Sequence, residues 1–492
     1  MNKTKKTRKR NKNNISKKSC NRSFNGGKVK GSGGYGCFLV PAIKCKNNTF
    51  KNSPLDKTDK KITKLMLEIK AKKEYNEIVK YKKILNTIPN HNKYFLINDV
   101  ELCRPSRLSR SDLQDYEKKC KALNKKKITK KNINKKLNSI LAINMPYGGD
   151  DLDIFIKKCD SYSEYIKLNK SLIDLLLNAL VPMNNKHVYH SDIKAGNVLI
   201  NKDYECKIID WGLSTSYNNY NPNDTFPISR GHFNRPIQFN IPFSVIILNN
   251  EFKEDYEKFV TDMLKTSKEI LYADIRSFVL KKFVQWNKEY KTGHIRYINK
   301  IMKILFNENI EPLYKKIKDD IVTTEYTYYY IVEYISKIVY KYTDVENKKF
   351  DMQDYFKNVY LKSIDIWGFV FSYLPILNVF SYTKRKDLSN TEIKIYEKIK
   401  YIIIHYLYEN PLEPIDPDVI KKELEELDKL FEEAWRESPN SLNTILDRYK
   451  RKINNDSNSK NSKNSDDSSI DKNNTETAKV IKFFSESSAK NK

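Results

Sequence analysis

The amino-acid sequence predicts an α+β fold, and three observations carry that prediction. Short runs rich in β-branched and aromatic residues sit at 61–66, 94–100, 140–145, 198–200 and 207–209, each next to turn-forming or polar residues. Segments with apolar residues at three- and four-residue steps begin at 71–88 and fill most of the chain beyond 244. Between these regimes, residues 187–216 place His, Asp, Lys and Asn in close succession around two of the short strands.

Taken in order, residues 1–27 form a basic arm with no apolar stretch, which excludes a secretory signal; the arm reads as disordered, or as an address for nucleus or nucleic acid. Gly31, Gly33 and Gly36 then spell G-x-G-x-x-G, with Ser32, Gly34 and Tyr35 between them. No helix pattern follows, which argues against a dinucleotide-binding turn. Residues 46–60 read as a polar loop before the strand at 61–66, and the helix of 71–88 stops at Ile88-Pro89. Residues 104–136 are a basic, helix-tending insertion, expected to be solvated or to meet a partner. An apolar helix at 172–180 leads into 187–216. Residues 244–361, rich in Tyr, Ile and Lys, read as an inserted helical subdomain, and 391–453 is helical again. From 454 to 492 Ser, Asn, Lys and Asp dominate, which is the composition of a disordered tail. Residues 364–380 are apolar but short for a membrane span and contain Asp365, Gly368 and Pro375, so a buried helix is expected and no transmembrane segment.

The balance of 91 Lys and Arg against 61 Asp and Glu leaves a net charge of +30, which favours acidic partners such as nucleic acid, membrane surfaces or acidic proteins. Much of the excess lies in the tails and in 104–136, so a nucleic-acid reader is not the favoured class. The seven cysteines are scattered and never form C-x-x-C. They read as reduced thiols, which implies an intracellular protein without structural zinc.

The chemistry concentrates at 187–216. The strands at 198–200 and 207–209 flank the turn formers Asn201, Lys202 and Asp203, so they fold back as a hairpin. Before the first strand stand Asp192, Lys194 and Asn197, and after the second stands Asp210, followed by Trp211 and Gly212. A hairpin brings those ends together, so two carboxylates, an ammonium and an amide converge. Phosphoryl transfer asks for such a set: a carboxylate to orient an attacking hydroxyl, oxygen ligands for Mg²⁺, and a cation near the moving group.

The order Asp192-x-Lys194-x-x-Asn197, then Asp210-Trp211-Gly212, with a glycine-rich loop well upstream, resembles the protein kinase superfamily. The glycine-loop wording and the Lys, Asn and Tyr bias are similar to the divergent serine/threonine kinases of giant DNA viruses. The resemblance implies a two-lobed fold: a small β-rich lobe at 28–145 interrupted by 104–136, and a large helical lobe at 146–453 interrupted by 244–361. It implies ATP and Mg²⁺ as cofactors and protein substrates as partners. Asp192 and Lys194 would be catalytic, and Asn197 and Asp210 would hold the metal. Lysine two residues after Asp192 is the serine/threonine pattern.

For ATP, the resemblance points to Gly31, Ser32, Gly33, Gly34, Tyr35 and Gly36 over the phosphates, and to Met145 and Tyr147 at the adenine. It also asks for a lysine on the third strand. Lys44, in Pro-Ala-Ile-Lys, is too close, because running down one strand and back at ~3.3 Å per residue takes about fourteen residues beyond Gly36. Lys64 is preferred, with Glu77 rather than Glu74 as its acidic partner. Asp150 or Asp151 would reach the ribose. His190 would be a packed structural residue. Ser191 stands where many kinases have the arginine that receives an activation-loop phosphate, Arg235-Pro236 and 241–243 are candidates for the end of the activation segment, and Asp365 would bind the catalytic-loop backbone. A catalytically silent scaffold is the alternative reading, and a basic nucleic-acid-binding protein is a third. For a viral kinase, the host cytoplasm or the virion is the expected location.

Overall fold

The computed structural model describes residues 28–46, 61–217, 235–267, 269–306 and 321–461, with the backbone alone at 321–324 and 454–461. The expectations for 1–27, most of the polar loop at 46–60 and the tail beyond 461 lie outside the described residues. The chain packs as two compact units, one of residues 1–71 and 101–146, the other of 72–100 and 147–492.

The first unit is built on a five-stranded antiparallel sheet of β1 (Lys28–Ser32), β2 (Gly36–Val40), β3 (Lys61–Leu67), β4 (Glu101–Cys103) and β5 (Ile140–Pro146), in the order β1-β2-β3-β5-β4. Gly36 is required by close approach: a Cβ there would fall 2.6 Å from Met66 Cγ and 2.8 Å from the Leu65 carbonyl on β3. In the sheet centre Thr63 Oγ1 donates to Asn144 Oδ1 at 2.5 Å and accepts from the Ile43 amide at 2.8 Å, so these buried polar groups are satisfied.

The basic stretch 104–136 is not merely solvated. Leu108, Leu113, Tyr116, Leu123, Ile128 and Ile133 turn inward and share one core with Val29, Leu39, Leu65 and Ala142 of the sheet. Short helical turns at Tyr116–Lys119 and Lys121–Asn124 carry them, and Arg104 anchors the stretch to Glu68 at 3.0 Å and to the carbonyls of Asn138 and Ile140. The reduced-thiol expectation also fails for four of the cysteines. Cys37 is bonded to Cys120 and Cys45 to Cys103, with Cα separations of 5.3 and 5.7 Å, while Cys159 and Cys206 are free and buried. Spacings of 83 and 58 residues conceal both pairs in the sequence, and the inference to an intracellular compartment loses its premise.

The second unit claims residues 72–100, which the sequence reading assigned to the N-terminal lobe. Helix α1 (Glu68–Leu85) buries Ile78, Tyr81 and Leu85 in the core of this unit, together with Ile88, Tyr94 and Phe95. The strand expected at 94–100 does not form. Tyr94 ends a short helix, Phe95 makes one bridge to Ile208, and Asp99 takes a positive φ of 55°, which breaks the extended run before β4.

The remainder is helical, as the periodicity indicated. Tyr162–Leu175 continues through a π turn at Leu176–Leu180 and lies against Pro417–Glu437, where Asn169 donates to the Leu424 carbonyl and to Asp428. The insertion supplies Asn250–Thr266, Tyr272–Tyr290, Ile295–Leu305 and Ile321–Lys341. Among the described residues one helix, Met352–Ser381, is long and apolar enough to cross a membrane, but 94% of that window is buried inside the protein, as a core helix is. Among the described residues the last helix runs from Ser441 to Asn461, past the expected tail boundary at 454.

Candidate active site

The hairpin expected at 198–209 forms. β6 (Asp150–Asp151) pairs with β7 (Val198–Ile200), which pairs with β8 (Cys206–Ile208), with Val198 opposite Ile208. Asn201 Oδ1 accepts from the amides of Asp203 and Glu205, each at 2.9 Å, and so fixes the turn. At the far end the Ile209 amide donates to the Asn197 carbonyl at 3.0 Å, which sets Asn197 beside Asp210. Asp210 itself has a left-handed backbone, φ 71°, and opens the short helix Trp211–Leu213.

Asp192 is the hub of the adjoining loop. Lys194 Nζ donates to both of its carboxylate oxygens at 2.7 and 2.8 Å, and Asn197 Nδ2 donates to Oδ2 at 2.9 Å and to the Asp192 carbonyl at 2.8 Å. Asn240 Nδ2 completes the set, donating to Oδ1 at 2.9 Å and to the Ile193 carbonyl at 3.1 Å. With its amide nitrogen so engaged, Asn197 keeps its side-chain oxygen for another partner.

The loop is held from below by Asp365, which is fully buried and accepts from the amides of His190 and Ser191 and from Asn184 Nδ2, each at 2.8 Å. Burial is the main cause pushing its carboxyl above the usual range, and these donors counteract it. Asp365 lies within the helix Leu361–Val370 rather than at its cap. One turn on, Gly368 lets the Ile193 carbonyl approach, since a Cβ would lie 2.4 Å from that oxygen.

His190 is buried, and desolvation lowers its pKa, so its ring is neutral; Nε2 bonds the Ile209 carbonyl at 3.0 Å. Its ring meets Trp211 edge-on at 5.0 Å, and Trp211 also touches Tyr81 and Phe95 at 6.2 and 5.9 Å. The residue after Asp210 thus anchors the loop to α1, with Tyr81 OH donating to the Ser214 carbonyl at 3.0 Å.

Sequence reasoning missed contacts made to the loop that carries Asp192. Asn240 makes one; its partner is 48 residues upstream, in a stretch without periodic pattern. Arg235, expected only as a candidate end of the activation segment, donates from Nη2 to the Ser191 carbonyl at 2.9 Å, and Trp286 of the helical insertion donates to the Arg235 carbonyl at 3.2 Å. His294 donates its amide to Ile237 at 2.9 Å, and its ring lies on Phe239 at 5.5 Å. The insertion therefore braces residues 235–240 against the loop that carries Asp192. Phe243, at the expected end of the activation segment, stacks among Trp367, Tyr334 and Tyr408. Residues 218–234 of that segment lie outside the described residues.

In the first unit, Ser32, Gly33, Gly34, Tyr35 and Gly36 form the tip of the β1–β2 hairpin, where the Gly33 amide donates to the Gly36 carbonyl at 2.9 Å and Tyr35 is exposed. Gly31 sits at a bulge in β1. Lys64 is on β3, buried, between Phe38 and Ile143 of the neighbouring strands, whereas Lys44 is exposed and outside any strand. Met145 is buried on β5 opposite Ile62. In the second unit, Tyr147 is exposed and donates to Asp150 at 3.1 Å, Asp150 pairs with Lys158, and Asp151 caps the helix Leu152–Ile156 through the Ile154 amide. On α1, Glu74 is the buried glutamate, while Glu77 faces Lys80 at 3.9 Å.

Residues 118–233, the stretch that contains Asp192, Asn197 and Asp210, match the family model of the protein kinase domain. The match supports a place in the protein kinase superfamily, and with it a kinase type of transferase. Among curated proteins none matches the chain.

Proposed function

We propose that the chain is a protein kinase that transfers the γ-phosphoryl group of ATP to serine or threonine hydroxyls of protein substrates. The observation that carries this reading is the Asp192 carboxylate, gripped by Lys194, Asn197 and Asn240 on a loop whose backbone is tied to Asp365. Asp192 orients the acceptor hydroxyl and takes its proton, and Lys194 offsets the charge that gathers on the transferred group. The Asn197 side-chain oxygen and the Asp210 carboxylate, on residues whose backbones the hairpin brings together, are hard oxygen donors of the kind Mg²⁺ takes, and the donor set fits that ion. When bound, Mg²⁺ would neutralise phosphate charge. In the first unit, Gly31 to Gly36 offer backbone amides to phosphates, Lys64 a buried cation, and Met145 a gatekeeping side chain; in the second unit, Tyr147 is an exposed ring of the kind that takes a base. Glu77 is the glutamate expected from sequence, but burial favours Glu74 as the acid the family places on α1.

The test is transfer of labelled γ-phosphate from Mg-ATP to generic protein substrates, with sites mapped, beside Asp192→Asn and Asp210→Asn. Transfer to Ser or Thr, lowered at least about a hundredfold in each variant, is expected. A folded wild-type protein that binds ATP yet transfers nothing would transfer the role to a silent scaffold.

A further inference from the structure

The basic stretch 104–136 contains a concave site that the proposed phosphotransfer does not use. A cavity of about 460 Å³ opens between its first and last turns, lined by Arg107, Ser109, Arg110, Lys130 and Asn134 over an apolar floor of Leu108 and Leu113. The volume is in the range of ligand sites rather than of packing defects.

The frame of this cavity is rigid. Asn134 clamps Leu108 from both sides, accepting from its amide and donating to its carbonyl, each at 2.9 Å. Ser109 and Asp112 cap one another, the Ser109 amide to Asp112 Oδ2 at 2.7 Å and the Asp112 amide to Ser109 Oγ at 3.1 Å. Leu108 and Leu113 are buried in the core of the first unit, so the floor is continuous with the sheet.

The rim carries more positive than negative charge. Among the described residues Arg107, Arg110 and Lys130 form no ion pair with a carboxylate, although neighbouring cations do: Arg104 holds Glu68, and Lys28 and Lys119 share Asp115. Three exposed cations, two of them guanidinium forks, line the cavity against two carboxylates at its frame, Asp112 on the Ser109 amide and Glu117 on the Lys130 amide, which leaves an excess of positive charge for an anion to join. Planar guanidinium groups take tetrahedral oxyanions in bidentate fashion, which is how phosphorylated side chains are recognised.

We propose that this cavity binds a phosphate monoester on a protein side chain, phosphoserine or phosphothreonine. A peptide fits better than a nucleic-acid backbone, because the cations line one cavity instead of running along a stripe, and because Leu108 and Leu113 in its lining accept the flank of a neighbouring residue. All of its lining residues belong to the first unit, whereas Asp192 belongs to the second.

Binding of a fluorescent neutral-sequence phosphoserine peptide to the full chain tests this, at fixed ionic strength, against the unphosphorylated peptide, inorganic phosphate and a single-stranded oligonucleotide. The phosphopeptide is expected to bind at least about tenfold more tightly than the unphosphorylated one, and to be competed by excess phosphate. Arg107→Glu and Arg110→Glu, both at exposed positions, should erase that preference without lowering the melting temperature, and Lys125→Glu with Lys126→Glu, exposed cations outside the cavity, should leave it intact. Equal binding of the two peptides would overturn the proposal. So would tighter binding of the oligonucleotide, or an equal loss in the Lys125 and Lys126 variant, either of which would mark general charge attraction.

Discussion

Replacing Asp365 with asparagine isolates what a single buried carboxylate contributes to the loop that bears Asp192. The wild-type oxygens accept from two consecutive backbone amides, His190 and Ser191, and from Asn184, all at 2.8 Å. Asparagine keeps one oxygen and turns an NH₂ toward the other donors, so at least one loop amide loses its acceptor. A hydrogen bond to a charged group contributes about 1.5–3 kcal/mol, and a buried donor left unmade costs about 1–3 kcal/mol. Against this, asparagine has no charge to desolvate, and burial already raises the Asp365 pKa, so part of the loss is returned. A net weakening of about 2 kcal/mol follows, which is roughly a thirtyfold increase in the open population of the loop. Amide hydrogen exchange read on a peptide covering His190 and Ser191 should accelerate by that order in Asp365→Asn, and phosphotransfer should fall in parallel. Unchanged exchange at both amides in a folded variant would refute the reasoning, since the bonds would then not be holding the loop.

Gly368→Ala should destabilise the same loop from its other side: a Cβ 2.4 Å from the Ile193 carbonyl has no flexible neighbour to displace, and a melting experiment should register a loss of about 1–3 kcal/mol. The pH dependence of stability should carry the mark of Asp428, whose pKa burial raises to about 6 although Asn169 donates to it. A raised carboxylate pKa means that the folded state holds the proton more tightly than the unfolded chain does. Its stabilisation is complete below the ordinary aspartate value of 3.8 and is lost as pH rises through about 6. Denaturant titrations at pH 4 and pH 7 should therefore differ by up to about 3 kcal/mol more in wild type than in Asp428→Asn, and equal differences would dismiss the assignment.

What was legible in the sequence was local. The turn formers Asn201 and Asp203 announced the hairpin that unites Asn197 with Asp210, and the reach of an extended strand placed the third-strand lysine at Lys64 rather than Lys44. Asp365 was singled out by the family resemblance alone, and it accepts from two backbone amides of the loop that carries Asp192. Illegible features were those made by distance along the chain. Asn240 carries no pattern of its own, and the lysines of 104–136 masked six apolar residues that complete the core of the first unit. At 94–100 the apolar composition suggested a strand, but Asn98 and Asp99 supply a turn that composition alone ranks too low.

The two disulfides nest, Cys45–Cys103 inside Cys37–Cys120, and they do so across a gap in the first unit, whose two stretches of chain are separated by residues that belong to the second. Each bridge removes about 4–5 kcal/mol of freedom from the open chain in the chain-entropy account. More than strength, they confer indifference to sequence continuity. A backbone cut between Cys45 and Cys103 would leave both halves of the sheet bound to each other, inseparable without a thiol. The unit behaves as a laced seam: its integrity is written in four sulfur atoms as well as in the order of its residues.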